Sequence, residues 1–514
     1  MSKWRWIILV ALAAVVLRSP AFYNPIIDED EAWYTVAAQV MNSGGDLYQD
    51  AVDLKPPLVF YFYAGAFAAL GDDMRLLHGA TVFWVLATAI AIGFLTARIS
   101  SHQQAPHLAA LLYVLFSPTF VPKALATNCE IIMNLPLVLS ALFFLKARTS
   151  ATKVHLLLSG AMCALAFLVK YQAGVLLGAL VGHILISESL PSKAWPGRRR
   201  FSQALLIIAG FIAVLISLYV YYRQLGSWNE AYFWGWEYNF VFMRGLTLEY
   251  FLNRFLGMTP RFILIWLMLW VFAVVAIKKA FESPNEAPPG VLFSILWLAF
   301  SVAAVCVGGK FFGHYFIQLL PPLSILAAVT LADWWNSSKA AKHGGIKRVV
   351  VIAGILVPPL IYLGENWQEE LQRMREENAN YQMLAQRISH LTSAEERIFV
   401  WGRVPELYYF GRRLPASRFI ACNFVVGMNT YNYYDAEASM PEVNDAIWDS
   451  LMQDLTEHRP RIIVDTAPAN LRQFGKYPIA RFRRLQDRVQ EHYEAIDTLN
   501  QVVIYQRRRN LFQH

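Results

Sequence analysis

The sequence predicts a polytopic α-helical membrane protein with about eleven transmembrane helices, followed by a soluble α/β domain at the C-terminus. Hydrophobic residues occupy 56% of the 514 positions and charged residues only 16%, a balance typical of multi-pass membrane proteins. Apolar runs of about 20 residues, the length needed to cross hydrocarbon, recur through the first 365 residues. After Gly364 the chain becomes charged, and no further run of that length follows.

Each long apolar run is expected to form one membrane-spanning helix. The expected helices lie near residues 4–22, 75–99, 106–122, 131–147, 154–170, 172–188, 203–222, 260–279, 290–308, 315–333 and 348–364. The apolar stretch 57–70 is too short to span, so we expect an interfacial helix that begins at the proline pair Pro56-Pro57. These expectations place a transmembrane domain at 1–364, with an outer-face loop and interfacial helices at 24–74.

The remaining residues, 365–514, are expected to form a soluble domain outside the membrane. A helix is expected near 366–391, and short apolar strands are expected at 397–401, 461–464 and 502–505. About 150 residues are enough for one α/β domain of ordinary size.

Lysine and arginine residues indicate how the helices are oriented. With the N-terminus in the cytoplasm, the loops on that side are basic and include Arg98, Arg148 and Lys279, as the positive-inside rule requires. We therefore predict a cytoplasmic N-terminus and a periplasmic or extracellular C-terminal domain. These loops also explain the net charge of +8, and no nucleic-acid partner is expected because no basic stripe or nucleic-acid motif is present.

Polar residues that are unusual for a membrane protein fall on the outer face in this orientation. Charge near a membrane helix is costly unless it has a function or leaves the lipid. Acids, lysines and a histidine that converge on one face therefore indicate an active site. The group comprises Asp28 to Glu31, Lys55, Asn128, Glu130, Lys170, Arg223, Glu237, Arg244, Lys310 and His314.

The acidic run that ends in Asp30 and Glu31 is the strongest functional signal. If a helix begins there, Asp30 and Tyr34 stand at i and i+4 on one face. A carboxylate in that place could deprotonate an acceptor hydroxyl as a general base, while Asp28 and Tyr34 contact substrate. The alternative is a solvated loop whose acids compensate the helix dipole.

The lysine of Lys55-Pro56-Pro57 is the second signal. The two prolines restrict the backbone and place Lys55 ahead of a helix N-terminus, where amides and dipole both favour an anion. We interpret Lys55 as a ligand of a phosphate group. A lysine that snorkels to the membrane interface is the alternative.

Two further groups of polar residues lie at expected outer turns. Glu130 precedes a strongly apolar run, so it could face a cavity at membrane depth or compensate the charge of a helix start. Lys170 ends a helix and could join the same cationic cluster, or snorkel. Lys310 and His314 follow two glycines and could share one helical face and bind phosphate, although a histidine at an aromatic interface is often only hydrogen-bonded.

The loop between residues 228 and 244 is rich in aromatic residues. Trp236 could stack on a sugar ring and Glu237 could bond to its hydroxyls, and Arg244 is also expected to bind substrate. An aromatic belt at the membrane interface explains the tryptophans nearly as well.

Taken in their order along the chain, these polar motifs resemble those of the GT-C glycosyltransferases. The most similar branch is that of the protein O-mannosyltransferases and the bacterial lipid A aminoarabinose transferases. The resemblance spans residues 1 to about 415. The segments that carry it are Asp30-Glu31-Ala32-Trp33-Tyr34, Lys55-Pro56-Pro57, Glu130 as a second acid, Lys170-Tyr171-Gln172, residues 309–315 and residues 401–408.

The resemblance implies a bacterial inner-membrane transferase that moves a sugar from a polyprenyl-phosphate donor to an acceptor on the outer face. It implies that Asp30 is the catalytic carboxylate, with Glu31 beside it and Glu130 as the second acid. Lys55 would hold the donor phosphate, together with Lys310, His314 or Lys170. The acceptor could be a glycolipid such as lipopolysaccharide, a polysaccharide or a protein.

One departure from the branch concerns metal binding. The aminoarabinose transferases carry an acid before the phosphate-binding lysine, whereas this chain has Leu54. A metal site like theirs is therefore not expected, and no cofactor is assigned. A divalent metal held by Asp28, Asp30 or Glu130 is left open, since no ligand set is complete in the sequence.

Two other functions account for parts of the sequence. A transporter or flippase of a lipid-linked sugar would need the same lipid-binding and cationic features. Transporters, however, commonly show inverted repeats and polar groups near the bilayer midplane, and neither is evident here. An envelope assembly scaffold would explain residues 365–514 but not the acidic loop.

Overall fold

The computed structural model describes residues 3–150, 152–186, 197–284, 288–338, 344–362, 364–433 and 445–508. The chain is mostly helical. The α-helices are α1 Lys3–Arg18, α2 Glu29–Asn42, α3 Leu58–Leu70, α4 Met74–Thr96, α5 Ala105–Phe116, α6 Cys129–Ser150, α7 Lys153–Val169, α8 Val175–Ile186, α9 Gly197–Leu225, α10 Trp228–Tyr232, α11 Tyr238–Phe242, α12 Leu248–Ile265, α13 Leu267–Glu282, α14 Pro289–Cys306, α15 Leu320–Ser338, α16 Gly344–Tyr362, α17 Glu365–Leu391, α18 Glu406–Gly411, α19 Asp445–His458 and α20 Arg483–His492.

The chain forms two compact units. The first unit contains Met1–Ile27, Met74–Gln224 and Leu248–Gln372, and the second contains Asp28–Asp73, Leu225–Thr247 and Arg373–His514. The segment after α1 and the aromatic loop thus belong to the same unit as the C-terminal residues. The domain division at 364 and 365, which separates membrane-embedded from periplasmic residues, stays a prediction.

The first unit is built from apolar helices. Among the five candidate membrane spans of the described residues, the one that contains α15 is the most buried, and α5 and α13 pack against α15. Helices α7 and α9 approach closely through glycines: a Cβ added at Gly160 would lie 1.8 Å from the Ile207 carbonyl oxygen, and one at Gly210 would lie 2.0 Å from that of Leu157. Small residues at such crossings let helix backbones come together where lipid supplies no hydrophobic driving force.

Among the described residues, five helices are long and apolar enough to cross a membrane. A sixth span is formed if α12 and α13, which are bent by 84°, count as one. Five further apolar helices are shorter: α3, α5, α7, the segment Tyr171–Ile186 and the segment Gly290–Cys306. These helices support a multi-pass membrane protein, and the count of eleven crossings stays a prediction.

The expectation of one continuous helix at 260–279 is wrong. The chain leaves helical geometry at Trp266, between α12 and α13. Trp266 is fully buried, with its ring packed edge-on against Phe262 and Phe116. Its aromatic packing accompanies the bend, whereas the helix-disfavouring Pro260 lies inside α12.

The second unit contains a four-stranded sheet with the order β1-β2-β4-β3. The strands are β1 Ile398–Trp401, β2 Ile462–Asp465, β3 Tyr493–Leu499 and β4 Val502–Arg507. Strands β1 and β2 are parallel, and the other neighbouring pairs are antiparallel. The predicted strands at 397–401, 461–464 and 502–505 and the predicted helix at 366–391 are confirmed. The missed strand β3 lies at the sheet edge, where most of its residues contact solvent and no apolar run marks it.

Candidate active site

The acidic run begins a helix, α2, whose first residue is Glu29, and it is not a solvated loop. Asp28 is its N-cap, and Asp28 and Glu31 form a capping box in which each side chain accepts a hydrogen bond from the backbone of the other. Both carboxylates are buried. Asp28 and Glu31 therefore hold the backbone of the turn that contains Asp30. The catalytic role predicted for Glu31 and the substrate contact predicted for Asp28 stay predictions.

Asp30 and Tyr34 share one face of α2, as their spacing predicted. The Tyr34 hydroxyl donates a hydrogen bond to Oδ2 of Asp30 at 3.4 Å. Lys55 joins them: its Nζ lies 3.1 Å from Oδ1 of Asp30 and 4.9 Å from the centroid of the Tyr34 ring. The Asp30 and Lys55 side chains are 31% and 29% exposed, so a substrate can reach the ion pair.

The backbone around Lys55 is fixed by three side chains. The Asp53 carboxylate accepts a hydrogen bond from the Lys55 amide at 2.9 Å, and the Tyr48 hydroxyl donates one to the Lys55 carbonyl at 2.6 Å. The Asn239 amide donates to the Leu54 carbonyl at 2.8 Å. The backbone of Leu54 and Lys55, from which the lysine side chain extends, is therefore held by these three hydrogen bonds.

Asp53 was missed from the sequence, although it stands two residues before the predicted phosphate ligand. Its carboxyl is buried. Burial raises the pKa of Asp53, and the positive charge of Lys55 opposes that shift. The carboxyls of Asp53 and Asp30 therefore have different surroundings, since only Asp30 is open to solvent.

In the first unit, Glu130 and Lys170 form an ion pair. Glu130 lies in the first turn of α6, whose start is capped by Asn128 through a 3.1 Å hydrogen bond from the Ile131 amide. Lys170 follows the last residue of α7, and its Nζ lies 3.5 Å from the centroid of the Tyr315 ring. The Glu130 side chain is 1% exposed and that of Lys170 is 12% exposed. Lys170 thus neutralises the second predicted acid.

The predicted helical face shared by Lys310 and His314 is wrong. The helix of this segment is 3-10 in type and begins only at Gly313, after Lys310. Phe311 adopts a φ of +45°, in the left-handed region, which no α-helix can pass through. The Lys310 carbonyl accepts a hydrogen bond from Nε of Arg254 at 3.0 Å, and the His314 ring packs on Phe312.

The aromatic loop contains a π-helical turn at Phe233–Glu237. Trp236 is 40% exposed, and its ring meets that of Phe240 edge-on. Glu237 ends this turn. The Arg244 side chain lies outside the described residues. The predicted contacts of Trp236, Glu237 and Arg244 with sugar therefore stay predictions.

A charged network within the second unit was not predicted. The Glu29 carboxylate contacts Arg403 at 3.1 Å and Arg472 at 3.6 Å, and Arg472 also forms an ion pair with the buried Glu406. The sequence held a signal, because Arg403 and Glu406 belong to the segment 401–408 that carries the family resemblance. No pattern in the sequence indicated that their partner lies in α2.

No group of three or more His, Cys, Asp or Glu residues comes close enough to hold a metal ion among the residues that the structure describes. The divalent metal left open at Asp28, Asp30 or Glu130 stays a hypothesis.

Comparison with known proteins identifies the fold. The family model described as dolichyl-phosphate-mannose-protein mannosyltransferase matches residues 54–221. The crystal structure of ArnT from Cupriavidus metallidurans bound to undecaprenyl phosphate matches with a TM-score of 0.64 at 16% identity, covering 98% of each chain. The chain has the GT-C fold. The archaeal oligosaccharyltransferase AglB from Archaeoglobus fulgidus, in complex with an inhibitory peptide and a dolichol-phosphate, matches with a TM-score of 0.57 at 10% identity, covering 96% of this chain and 72% of that one.

A curated protein is also similar to this chain in sequence. The undecaprenyl phosphate-alpha-4-amino-4-deoxy-L-arabinose arabinosyl transferase of Pseudomonas savastanoi pv. phaseolicola is 22% identical over 369 residues. The alignment covers 70% of this chain and 65% of that relative. The predicted resemblance to the branch of the lipid A aminoarabinose transferases is thereby confirmed.

Proposed function

We propose that this chain transfers a sugar from a polyprenyl-phosphate donor to a hydroxyl group of an acceptor on the periplasmic face of a bacterial inner membrane. The GT-C fold and the apolar helices of the first unit support this reading, since a polyprenyl chain needs apolar surface. Related structures hold undecaprenyl phosphate or dolichol-phosphate. The acceptor belongs to the envelope and is a glycolipid such as lipopolysaccharide, a polysaccharide or a protein.

The observation that carries the proposal is the cluster of Asp30, Lys55 and Tyr34, whose ion pair is partly exposed to solvent. It combines a partly exposed carboxylate and ammonium group with a buried phenol, which donates a hydrogen bond to the carboxylate. A base and a cation are the two groups that displacement of a phosphate from a sugar requires. A purely structural ion pair would need neither the exposure nor the hydrogen bonds that fix the backbone of Lys55.

The reaction is a direct displacement at the anomeric carbon. Asp30 accepts the proton of the acceptor hydroxyl, whose oxygen forms the new bond to the anomeric carbon. The bond from that carbon to the phosphate oxygen breaks, and the polyprenyl phosphate leaves with the electron pair. Lys55 stabilises the negative charge on the leaving phosphate. Attack opposite the leaving group inverts the anomeric centre.

The ion pair between Asp30 and Lys55 means that binding of the donor also affects the proposed base. Before the donor binds, the Lys55 ammonium neutralises Asp30 at 3.1 Å. A phosphate that binds Lys55 competes with Asp30 for that ammonium. Donor binding therefore weakens the ion pair between Lys55 and Asp30 and makes the Asp30 carboxylate a stronger proton acceptor.

The remaining site residues keep the roles predicted from the sequence. We assign Glu130 as the second acid and Lys310, His314 and Lys170 to the donor phosphate. Because Lys170 pairs with Glu130, its first effect is to hold that carboxylate in place. Trp236, Glu237, Arg244, Tyr34 and Asp28 are assigned to the substrates, and Glu31 to the catalytic set.

The test is transfer from radiolabelled polyprenyl-phosphate sugars to envelope extracts by the purified protein. Wild type should transfer label, and Asp30→Asn should transfer at least about a hundredfold less, the usual contribution of a positioned general base. Asp72→Asn, which changes an exposed acid of the same unit, is the matched control and should transfer normally.

Two results would contradict the proposal. Transfer by Asp30→Asn at the wild-type rate would remove Asp30 from the mechanism. Tight donor binding without transfer by either protein, across the whole panel of sugars, would favour the transporter instead.

A further inference from the structure

The residue next to the proposed base is held by the C-terminal part of the second unit. Glu29 is the first residue of α2 and immediately precedes Asp30. Its Oε1 accepts a hydrogen bond from Arg403 at 3.1 Å, and its Oε2 lies 3.6 Å from Nε of Arg472. The two arginine side chains are only 11% and 15% exposed. Two nearly buried guanidinium groups thus share one carboxylate in the first turn of this helix.

Arg403 contacts α2 at a second point. Its guanidinium carbon lies 6.0 Å from the centroid of the Trp33 ring and 4.8 Å from that of Tyr433. Glu29 and Trp33 are one turn apart on α2, at i and i+4. Contact with both residues restricts rotation of the first turn about the helix axis, and this rotation decides where the Asp30 carboxylate points.

Arg472 is presented from a strained turn. Its φ is +52° and that of Gln473 is +62°, both in the left-handed region that side-chain-bearing residues rarely adopt. Such a conformation persists only where the surroundings determine it. Here Arg472 forms an ion pair with the buried Glu406 and donates a 3.0 Å hydrogen bond to the Arg403 carbonyl. The two arginines are therefore fixed to each other as well as to Glu29.

We propose that Arg403 and Arg472 are positioning residues, which hold Glu29 so that the first turn of α2 presents Asp30 to Lys55 and to the acceptor. This inference rests on the proposed function, because it assigns a purpose to the geometry of Asp30. Buried ion pairs contribute little net stability, since desolvation offsets their attraction. They do fix geometry, and a displacement of about 1 Å in a catalytic group can lower the rate by about a hundredfold.

The kinetic test compares Glu29→Gln, Arg403→Gln and Arg403→Lys with wild type in the transfer assay. The two glutamine variants should lower kcat by about 10- to 100-fold and leave the donor KM within about twofold, because neither residue is assigned to the donor. Arg403→Lys keeps the charge and should recover part of kcat. The double variant Glu29→Gln/Arg403→Gln should be no slower than the slower single variant.

Hydrogen–deuterium exchange of the peptide that covers residues 29–34 supplies a readout independent of activity. Its exchange should rise in Glu29→Gln and Arg403→Gln, and not in Arg483→Gln, which changes an arginine with a 91% exposed side chain in the same unit. All variants are measured as the full chain in detergent, with the unfolding temperature as a check. Glu29→Gln retains the shape of the side chain, so it decides the question if Arg403→Gln fails to fold.

The positioning role and the proposed function can fail separately. Unchanged exchange in Glu29→Gln would overturn the positioning role, whatever the transfer assay shows. A loss of donor affinity that matches the whole loss of kcat/KM would overturn it too, since the arginines would then act on donor binding. Altered exchange in a protein whose wild type transfers nothing would support the positioning role while the proposed function fails.

Discussion

The ammonium of Lys55 lies 3.1 Å from the carboxylate of Asp30, although the two residues are 25 positions apart in the chain. In this arrangement the proposed base and the proposed phosphate ligand neutralise each other in the resting protein. The donor phosphate and the Asp30 carboxylate therefore compete for one cation. Substitutions on either side of the pair should separate donor binding from catalysis.

Replacing Lys55 by methionine should weaken the use of the donor. A hydrogen bond to a charged group contributes about 1.5–3 kcal/mol, so kcat/KM for the donor should fall by roughly 10- to 150-fold. Lys55→Arg keeps the charge and should retain part of the activity. Steady-state kinetics with increasing donor concentrations measures both variants.

The control for Lys55 is Lys153→Met, which changes an exposed lysine at the start of α7. It should leave the donor kinetics unchanged. If Lys55→Met behaved like Lys153→Met, Lys55 would not be a ligand of the donor phosphate.

Removing one member of the Glu130–Lys170 pair should destabilise the protein. Glu130→Gln leaves the Lys170 ammonium 12% exposed and without this carboxylate, and breaking a buried ion pair costs about 3–5 kcal/mol. The double variant Glu130→Gln/Lys170→Met removes both charges and should be more stable than Glu130→Gln. The unfolding temperature in detergent measures the difference.

Glu249→Gln, at an exposed acid of the same unit, serves as the control for this pair. A single variant as stable as wild type, or a double variant less stable than either single one, would show that the two charges are not coupled.

Asp465→Asn should stabilise the protein at neutral pH and not at low pH. Burial raises the pKa of Asp465 from 3.8 to about 6. The folded state thus keeps the proton to higher pH than the unfolded state, and stability falls as pH rises from about 4 through 6. Asparagine never ionises and can still accept the 3.0 Å hydrogen bond from the Ala467 amide. The variant should gain up to about 3 kcal/mol above pH 7.

Unfolding temperatures of the full chain, measured between pH 4.5 and 8, check this prediction. Cys422 and Tyr505 are coupled to Asp465 by charge, but burial raises the pKa of both groups and keeps them outside this range. Asp487→Asn, at an exposed acid, should not change the pH profile. A constant difference between Asp465→Asn and wild type across the range would mean that Asp465 does not titrate there.

Replacing Gly402 by alanine should destabilise the end of strand β1. A Cβ at this position would lie 2.0 Å from Oγ1 and 3.1 Å from Cβ of Thr466. Thr466 cannot turn away freely, because its hydroxyl donates a 3.0 Å hydrogen bond to the Trp401 carbonyl. Overpacking of this kind costs about 1–3 kcal/mol.

The companion variant Gly402→Ala/Thr466→Ala removes the clashing oxygen. Its destabilisation should be smaller than the sum of the two single variants, as expected for residues in contact. Unfolding temperatures of the three variants and wild type provide the cycle, and strict additivity would show that the contact is not what excludes a side chain at Gly402.

The sequence by itself determined the local elements. A capping box fixes the start of α2, and a helix begun there must place Asp30 and Tyr34 on one face, because the period is 3.6 residues per turn. Strands β1 and β2 were evident because short apolar runs bounded by polar residues mark fully buried strands. The order of such motifs was also enough to indicate the GT-C fold, because comparing motif order requires no knowledge of distances between residues.

The tertiary structure alone decided which charges meet. Glu29 and Arg403 stand 374 residues apart, and no local period relates them. The pairing of Asp30 with Lys55, the union of α2 with the C-terminal residues in one unit and the left-handed turn at Phe311 likewise depend on the path of the chain. A sequence pattern reports only neighbours within a turn or a strand. Electrostatic pairing between distant segments follows from the folding that brings them together.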